Sequence, residues 1–142
     1  MISAHVSIPD TQQGTVFVAT HLPGPWPNDI GPWREEIHSL TATLADIKAQ
    51  ANGRAVIVAG DFNATYDMVP FRNLLTNGFA NAAEQSGAGI TRTFPADQKL
   101  PPLIGIDHIL TYNATATDVQ TVRVPGSDHL GLLATISLTP LR

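Results

Sequence analysis

Apolar and polar positions recur along this chain in three ways, and each predicts a different element. His5-Val6-Ser7-Ile8 and Thr15-Val16-Phe17-Val18-Ala19-Thr20 are β-rich runs. The polar stretch Asp10 to Gly14 between them predicts a hairpin. Trp33, Ile37, Leu40, Leu44, Ile47 and Ala51 recur at spacings of three and four residues. That is one apolar stripe on a long helix, with Pro32 in its first turn and Gly53 beyond its end. Ala55-Val56-Ile57-Val58-Ala59 is an unbroken apolar run, as expected of a strand covered on both faces. Phe71, Leu74 and Leu75 predict a short helix closed by Asn77-Gly78, with Glu84 in a loop after it. Ile104 to Leu110, Thr117 to Val124 and Leu130 to Leu138 complete the pattern as three closing strands. Strands alternating with helices predict an α/β layered domain.

Composition narrows the picture. The 142 residues suffice for one compact domain, and no repeat or low-complexity linker divides them. Cysteine is absent, which excludes disulfides, thiolate nucleophiles and cysteine-ligated metals and leaves the compartment open. No run approaches ~18 consecutive apolar residues, and Met1 is not followed by a secretory pattern, so none of these residues reads as a membrane span or leader. Eight Lys and Arg stand against twelve Asp and Glu, a net charge of −4. A surface built to neutralise many phosphates of a long duplex is disfavoured by that balance. A small phosphorylated substrate held by a metal ion is compatible with it.

Four segments could carry chemistry. Gly60-Asp61-Phe62-Asn63 leaves the end of the buried strand, where ligands bind in open α/β sheets. Its carboxylate can orient a water or bind a hard cation, and its amide can donate to a phosphoryl oxygen. The same residues also suit a strand-ending turn. Ser127-Asp128-His129 precedes the last strand and could present a cation ligand and an imidazole to one pocket, or be an ordinary loop. Asp107, in the apolar run Ile106 to Leu110, is costly to bury without a partner, and an imidazolium is the natural one. Strand alternation turns His108 to the opposite face, so Asp107 is assigned to the site and His108 to a structural or surface role. His21 ends a strand before a proline-rich loop, where a solvated loop histidine is the simpler reading. His5 and His38 read as structural.

Taken in order, THLP, VIVAGDFNA, TRTFP, GIDHIL and GSDH resemble the endonuclease/exonuclease/phosphatase superfamily, the metal-dependent phosphodiesterases and phosphatases related to DNase I. The resemblance implies half of a DNase-I-like four-layer α/β sandwich: a mostly antiparallel or mixed sheet with one long and one short helix packed on it. Residue by residue it implies His129 as general acid/base or charge stabiliser at the scissile phosphate, oriented by Asp107. It implies Asp61 aligning the attacking water, Asn63 holding that water and the phosphate, and His21 as a phosphate contact or proton donor. Asp128, with Asp61, would lie at a divalent-metal site, for Mg²⁺ or Mn²⁺. Family metal ligands also include an Asn and a Glu from the first half of the domain, and Glu35, Glu36 and Glu84 do not fit that role. Residues 1–142 thus resemble the C-terminal part of one family domain. The expected partners are a phosphoester substrate and the N-terminal half, with self-association through an uncovered sheet face in its absence. Such a fragment alone is expected to bind metal weakly and to be a poor catalyst.

A finer resemblance, carried by His21 to Pro27, Trp33 to Glu36, Phe71-Arg72, Gly87 to Pro95 and Pro101-Pro102, is to a membrane-associated branch similar to teicoplanin-resistance proteins. It implies a membrane-anchored parent with an extracellular catalytic domain and a lipid-linked phosphate or pyrophosphate as substrate; a cytoplasmic location is the alternative. Leu130 stands where many relatives of the superfamily carry a basic or polar residue. Two further readings are a nuclease, against which the acidic charge counts, and a non-catalytic binding or assembly module that keeps the fold.

Overall fold

A computed structural model describes residues 1–8, 14–27, 29–97 and 99–138. Strands β1 (Ile2–Val6) and β2 (Thr15–His21) pair antiparallel, as the β-rich runs predict; residues 10–13 of the expected turn lie outside the described residues. Helix α1 (Ile30–Ala51) then carries the chain back so that β3 (Val56–Asp61) joins β2 in parallel. The Asp29 side chain caps α1 by accepting from the Gly31 N–H at 2.9 Å, and Asn52 ends it in a left-handed conformation. The helix stripe is buried as its spacing requires. Trp33, Ile37, Leu40 and Leu44 pack on Val16, Val18, Val56 and Val58 of the sheet, each fully buried Leu or Ile contributing about 2 kcal/mol.

Beyond β3, helix α2 (Val69–Leu74) runs into a 3-10 turn at Leu75–Asn77, and Gly78 closes it. Two short elements follow that have no periodic signature: β4 (Ala80–Asn81) and α3 (Ala82–Ser86). Glu84 therefore sits in α3 and not in a loop, because Asn81 caps that turn through the Ala83 N–H at 2.9 Å. Strand β5 (Asp107–Tyr112) pairs antiparallel with both β3 and β4, giving a mixed sheet of order β1-β2-β3-β5-β4. It starts later than the apolar run suggests, since Ile104 makes an isolated bridge to Phe94 instead.

Strands β6 (Ala114–Arg123) and β7 (Leu130–Leu138) form a separate two-stranded sheet with a bulge at Ala116/Asp118. Ile57 and Ile109 meet Ala114, Ile136 and Leu138 between the two sheets, so β3 is covered on both faces along most of its length. The result is three layers: helices, five-stranded sheet and β-hairpin. On the hairpin side, β1 and β2 stay open. Ile2 is 75% exposed and Phe17 38%, and alternation places both on the face that also carries Val6 and His21. No helix of the described residues is long and apolar enough to cross a membrane.

Candidate active site

Register does most of the assembly. His21 is opposite Asp61 in the β2–β3 pair, and Asp61 is opposite Asp107 in the β3–β5 pair. Three residues that are 40 and 46 positions apart in sequence thus form one row across three strands at one end of the sheet. Close approach of β2 and β3 just before that row depends on Gly60, whose φ is 153°. A Cβ there would stand 1.8 Å from the Thr20 carbonyl oxygen.

The loop before β7 supplies the fourth member. Ser127 Oγ accepts from the His129 N–H at 3.0 Å, and Leu130 N donates to Thr93 O at 2.8 Å. These bonds seat the His129 ring against Phe94, with ring centroids 4.8 Å apart. His129 Nδ1 lies 2.8 Å from Asp107 Oδ2, hydrogen-bond distance, and its Nε2 lies 4.0 Å from Asp61 Oδ2. His21 Nε2 approaches the same Asp61 oxygen at 3.7 Å while its side chain remains 77% exposed. Asp107 thereby fixes the imidazole with Nδ1 protonated and leaves Nε2 facing Asp61.

Asp61 is held from below. Asn63, left-handed at φ 46°, donates its backbone N–H to Asp61 Oδ1 at 2.7 Å. Its Nδ2 donates to Asp61 Oδ2 at 3.1 Å and to Leu22 O at 2.9 Å. Both amide hydrogens are taken by protein groups, so in this arrangement Asn63 positions the carboxylate. Trp33 Nε1 donates to Phe62 O at 3.1 Å and ties the same loop to α1.

Charge follows from this packing. Burial raises the Asp61 pKa above its ordinary 3.8; the Asn63 N–H opposes, the Asp107 charge reinforces, and His129 and His21 pull the other way without cancelling the rise. For His129, partial burial works against the charged ring, but the Asp107 hydrogen bond and the charges of Asp107, Asp61 and Asp128 outweigh it and raise the pKa above 6.5. Replacing Asp107 by Asn should lower it, as read from the ring proton shifts in an NMR pH titration; an unmoved midpoint would show that Asp107 does not hold the ring. A proton held more tightly in the folded chain than in the unfolded one stabilises the fold most below pH 6.5. That contribution fades as pH rises through the folded value.

His21, Asp61, Asn63, Asp107 and His129 are brought together. Asp128, next to His129 and acting on it through its charge, is exposed and is not among the three clustered ligand residues; its backbone oxygen accepts from Ala96 N at 2.6 Å. His108 turns to the helix face, as alternation predicts. It is buried there against Phe71, with Nδ1 3.1 Å from Asn81 Nδ2 and Nε2 2.8 Å from Ala64 O. Burial lowers its pKa, which the Ala64 carbonyl and Asp107 oppose only in part. Phe94 and Ser127 hold the His129 ring and loop, but the sequence reading gave neither a role. The TRTFP and SDH segments that contain them were the available signals.

Two carboxylates and two imidazoles thus meet at one sheet end, with one pair hydrogen-bonded. Residues 2–129 match the model of the Endonuclease/Exonuclease/phosphatase family, and the chain belongs to that family. Family members are phosphoester hydrolases, among them phosphatases and nucleases, and generally use divalent metals. No curated protein matches the chain significantly.

Solved structures share the fold. A mannosyl-6-phosphatase of Bacteroides thetaiotaomicron superposes with a TM-score of 0.66 at 16% identity, covering 88% of this chain and 52% of that one. TDP2 of D. rerio, complexed with a single-strand DNA product, gives 0.67 at 19%, covering 96% and 67%. The human Nocturnin catalytic domain, with a bound sulfate anion, gives 0.68 at 18%, covering 96% and 52%. This chain spans about half the length of the first of these.

Proposed function

We propose that this chain forms the His129-bearing part of a divalent-metal-dependent phosphoester hydrolase acting on a small or lipid-linked phosphoester. The observation that carries the reading is the 2.8 Å Asp107–His129 hydrogen bond, held beside Asp61 at the shared strand register. Water attacking phosphorus needs an oriented nucleophile and relief of charge on the equatorial oxygens. Asp61, fixed by Asn63, supports the first; His129 in its protonated form, with His21 at the exposed rim, supports the second and offers the leaving oxygen a proton from Nε2.

The donor chemistry fits a hard cation in kind. Asp61, Asp107 and His129 each offer a ligand atom, and these lie within 4.8 Å of one another. Asp107 Oδ2 is engaged by His129, however, so we assign Mg²⁺ or Mn²⁺ to Asp61, the remaining oxygens coming from water, substrate and donors outside these residues. When bound, such an ion neutralises phosphoryl charge and lowers the pKa of water. The open β1–β2 face is proposed as the seat of the remaining part of the family fold.

A panel of nucleotides, lipid pyrophosphates and DNA, assayed for product release with and without Mg²⁺, tests the reading. Release that needs Mg²⁺, stops on chelation and falls about 10²-fold in Asp61→Asn is expected. Release indifferent to chelation, or to that substitution, would contradict it. Preference for DNA would favour a nuclease, against the net charge of −4.

A further inference from the structure

The ladder between β3 and β5 ends at Asp61, opposite Asp107. Beyond that pair the chain must still place Asn63, whose N–H and side-chain amide hold the Asp61 carboxylate. Two bonds to β5 and the residue before it guide this loop. Phe62 N donates to Ile106 O at 3.0 Å, and Ala64 O lies 2.8 Å from His108 Nε2. Ala64 is fully buried, where a carbonyl oxygen left unpaired is costly.

The neighbour of His108 decides which ring nitrogen carries the proton. Asn81 Oδ1 accepts from the Ala83 N–H at 2.9 Å, where α3 begins. The arm of that amide facing His108 Nδ1, at 3.1 Å, is therefore its NH2 group. An N–H aimed at Nδ1 requires a lone pair there, so the ring proton sits on Nε2 and is donated to Ala64 O. Phe62 and Phe71 close on the same ring, their centroids 5.7 and 4.1 Å from it. A continuous set of contacts thus runs from the cap of α3 through Asn81, His108 and Ala64 to Asn63 and Asp61.

We propose that His108 is a positioning residue for the phosphoester reaction: by holding Ala64 it fixes Asn63, and through Asn63 the Asp61 carboxylate. This role rests on the hydrolase reading and adds a residue to it. Asp107 and His108 are consecutive on β5 and turn to opposite faces. One strand therefore locates both carboxylates of the site, Asp107 directly and Asp61 by way of the ring behind it.

The test compares three variants of the full chain. His108→Gln can put its amide nitrogen where Nε2 was, His108→Asn reaches Asn81 but not Ala64, and His108→Phe keeps an aromatic ring with neither bond. Should the Phe variant not fold, Gln against Asn carries the comparison. Two measurements are made: amide hydrogen exchange, and hydrolysis of p-nitrophenyl phosphate and bis(p-nitrophenyl) phosphate in Mg²⁺. In the Asn and Phe variants the Asn63 amide should exchange at least about ten-fold faster while the amides of α1 keep their protection. In those variants kcat should fall about 10²-fold with KM little changed, as for a reacting group displaced by about 1 Å. The Gln variant should restore both, and the kcat loss should vanish in an Asp61→Asn background, which has no carboxylate left to misplace. Exchange quickened in α1 as much as at Asn63, or a Gln variant no better than Asn, would make His108 a structural residue only and overturn the inference. If Asn63 loosens and kcat does not change, the positioning role falls and the hydrolase reading stands. If the wild-type chain hydrolyses neither ester, the hydrolase reading falls, and the positioning role with it.

Discussion

His129→Ala is expected to lower the turnover of the protein on its phosphoester about 10³-fold, with little change in the unfolding midpoint. The ring is the one group that touches both halves of the proposed chemistry: Nδ1 is bound by Asp107 at 2.8 Å and Nε2 faces Asp61 at 4.0 Å. Its loss removes a positioned proton donor and a cation at once, and general acid catalysis alone is worth ~10²–10⁴. A 10³-fold loss corresponds to about 4 kcal/mol of transition-state stabilisation. The ring contributes less to folding, because it is only half-buried where it packs against Phe94. Steady-state rates alongside thermal unfolding separate the two effects. A near-normal rate, or a rate lost only because the fold is lost, would remove His129 from the chemistry.

Gly60→Ala should have the largest effect on the fold itself. A Cβ 1.8 Å from Thr20 O cannot be accommodated by rotating a side chain, because the obstacle is backbone in a paired strand. The φ of 153° is in addition a conformation that L residues rarely adopt. Relief requires β2 and β3 to separate at the residues directly before His21 and Asp61, so we expect a loss of about 3 kcal/mol or more in urea unfolding. Any protein that still folds should show the His21–Asp61 pairing disturbed. A loss below about 1 kcal/mol would mean that the two strands do not approach so closely.

The row of site residues was legible because strand ends are legible. β-rich or apolar runs ending at His21 and Asp61, and an acid inside the run that contains Asp107, each mark a place where a polar group meets the edge of a sheet. Alternation then separated Asp107 from His108 correctly, and the buried His108 beside Phe71 is the outcome. The apolar stripe from Trp33 to Ala51 found α1 for the same reason: 22 residues give a period room to repeat. Two residues of β4 and five of α3 do not, and their existence rests on Asn81 and on Gln85. Gln85 Oε1 accepts from Thr111 Oγ1 and Ala116 N, both at 2.9 Å, clasping α3 to β5 and β6. Those are long-range bonds that no local pattern encodes.

Asp61, Asp107 and His129 are expected to act as one unit, and the decisive measurement is a double-mutant cycle between Asp61→Asn and His129→Ala, read as kcat/KM. Groups that serve a single step lose most of their effect together, so the double variant should fall little further than the worse single one. Losses that simply multiply would mean that the two side chains, although 4.0 Å apart, serve separate ends.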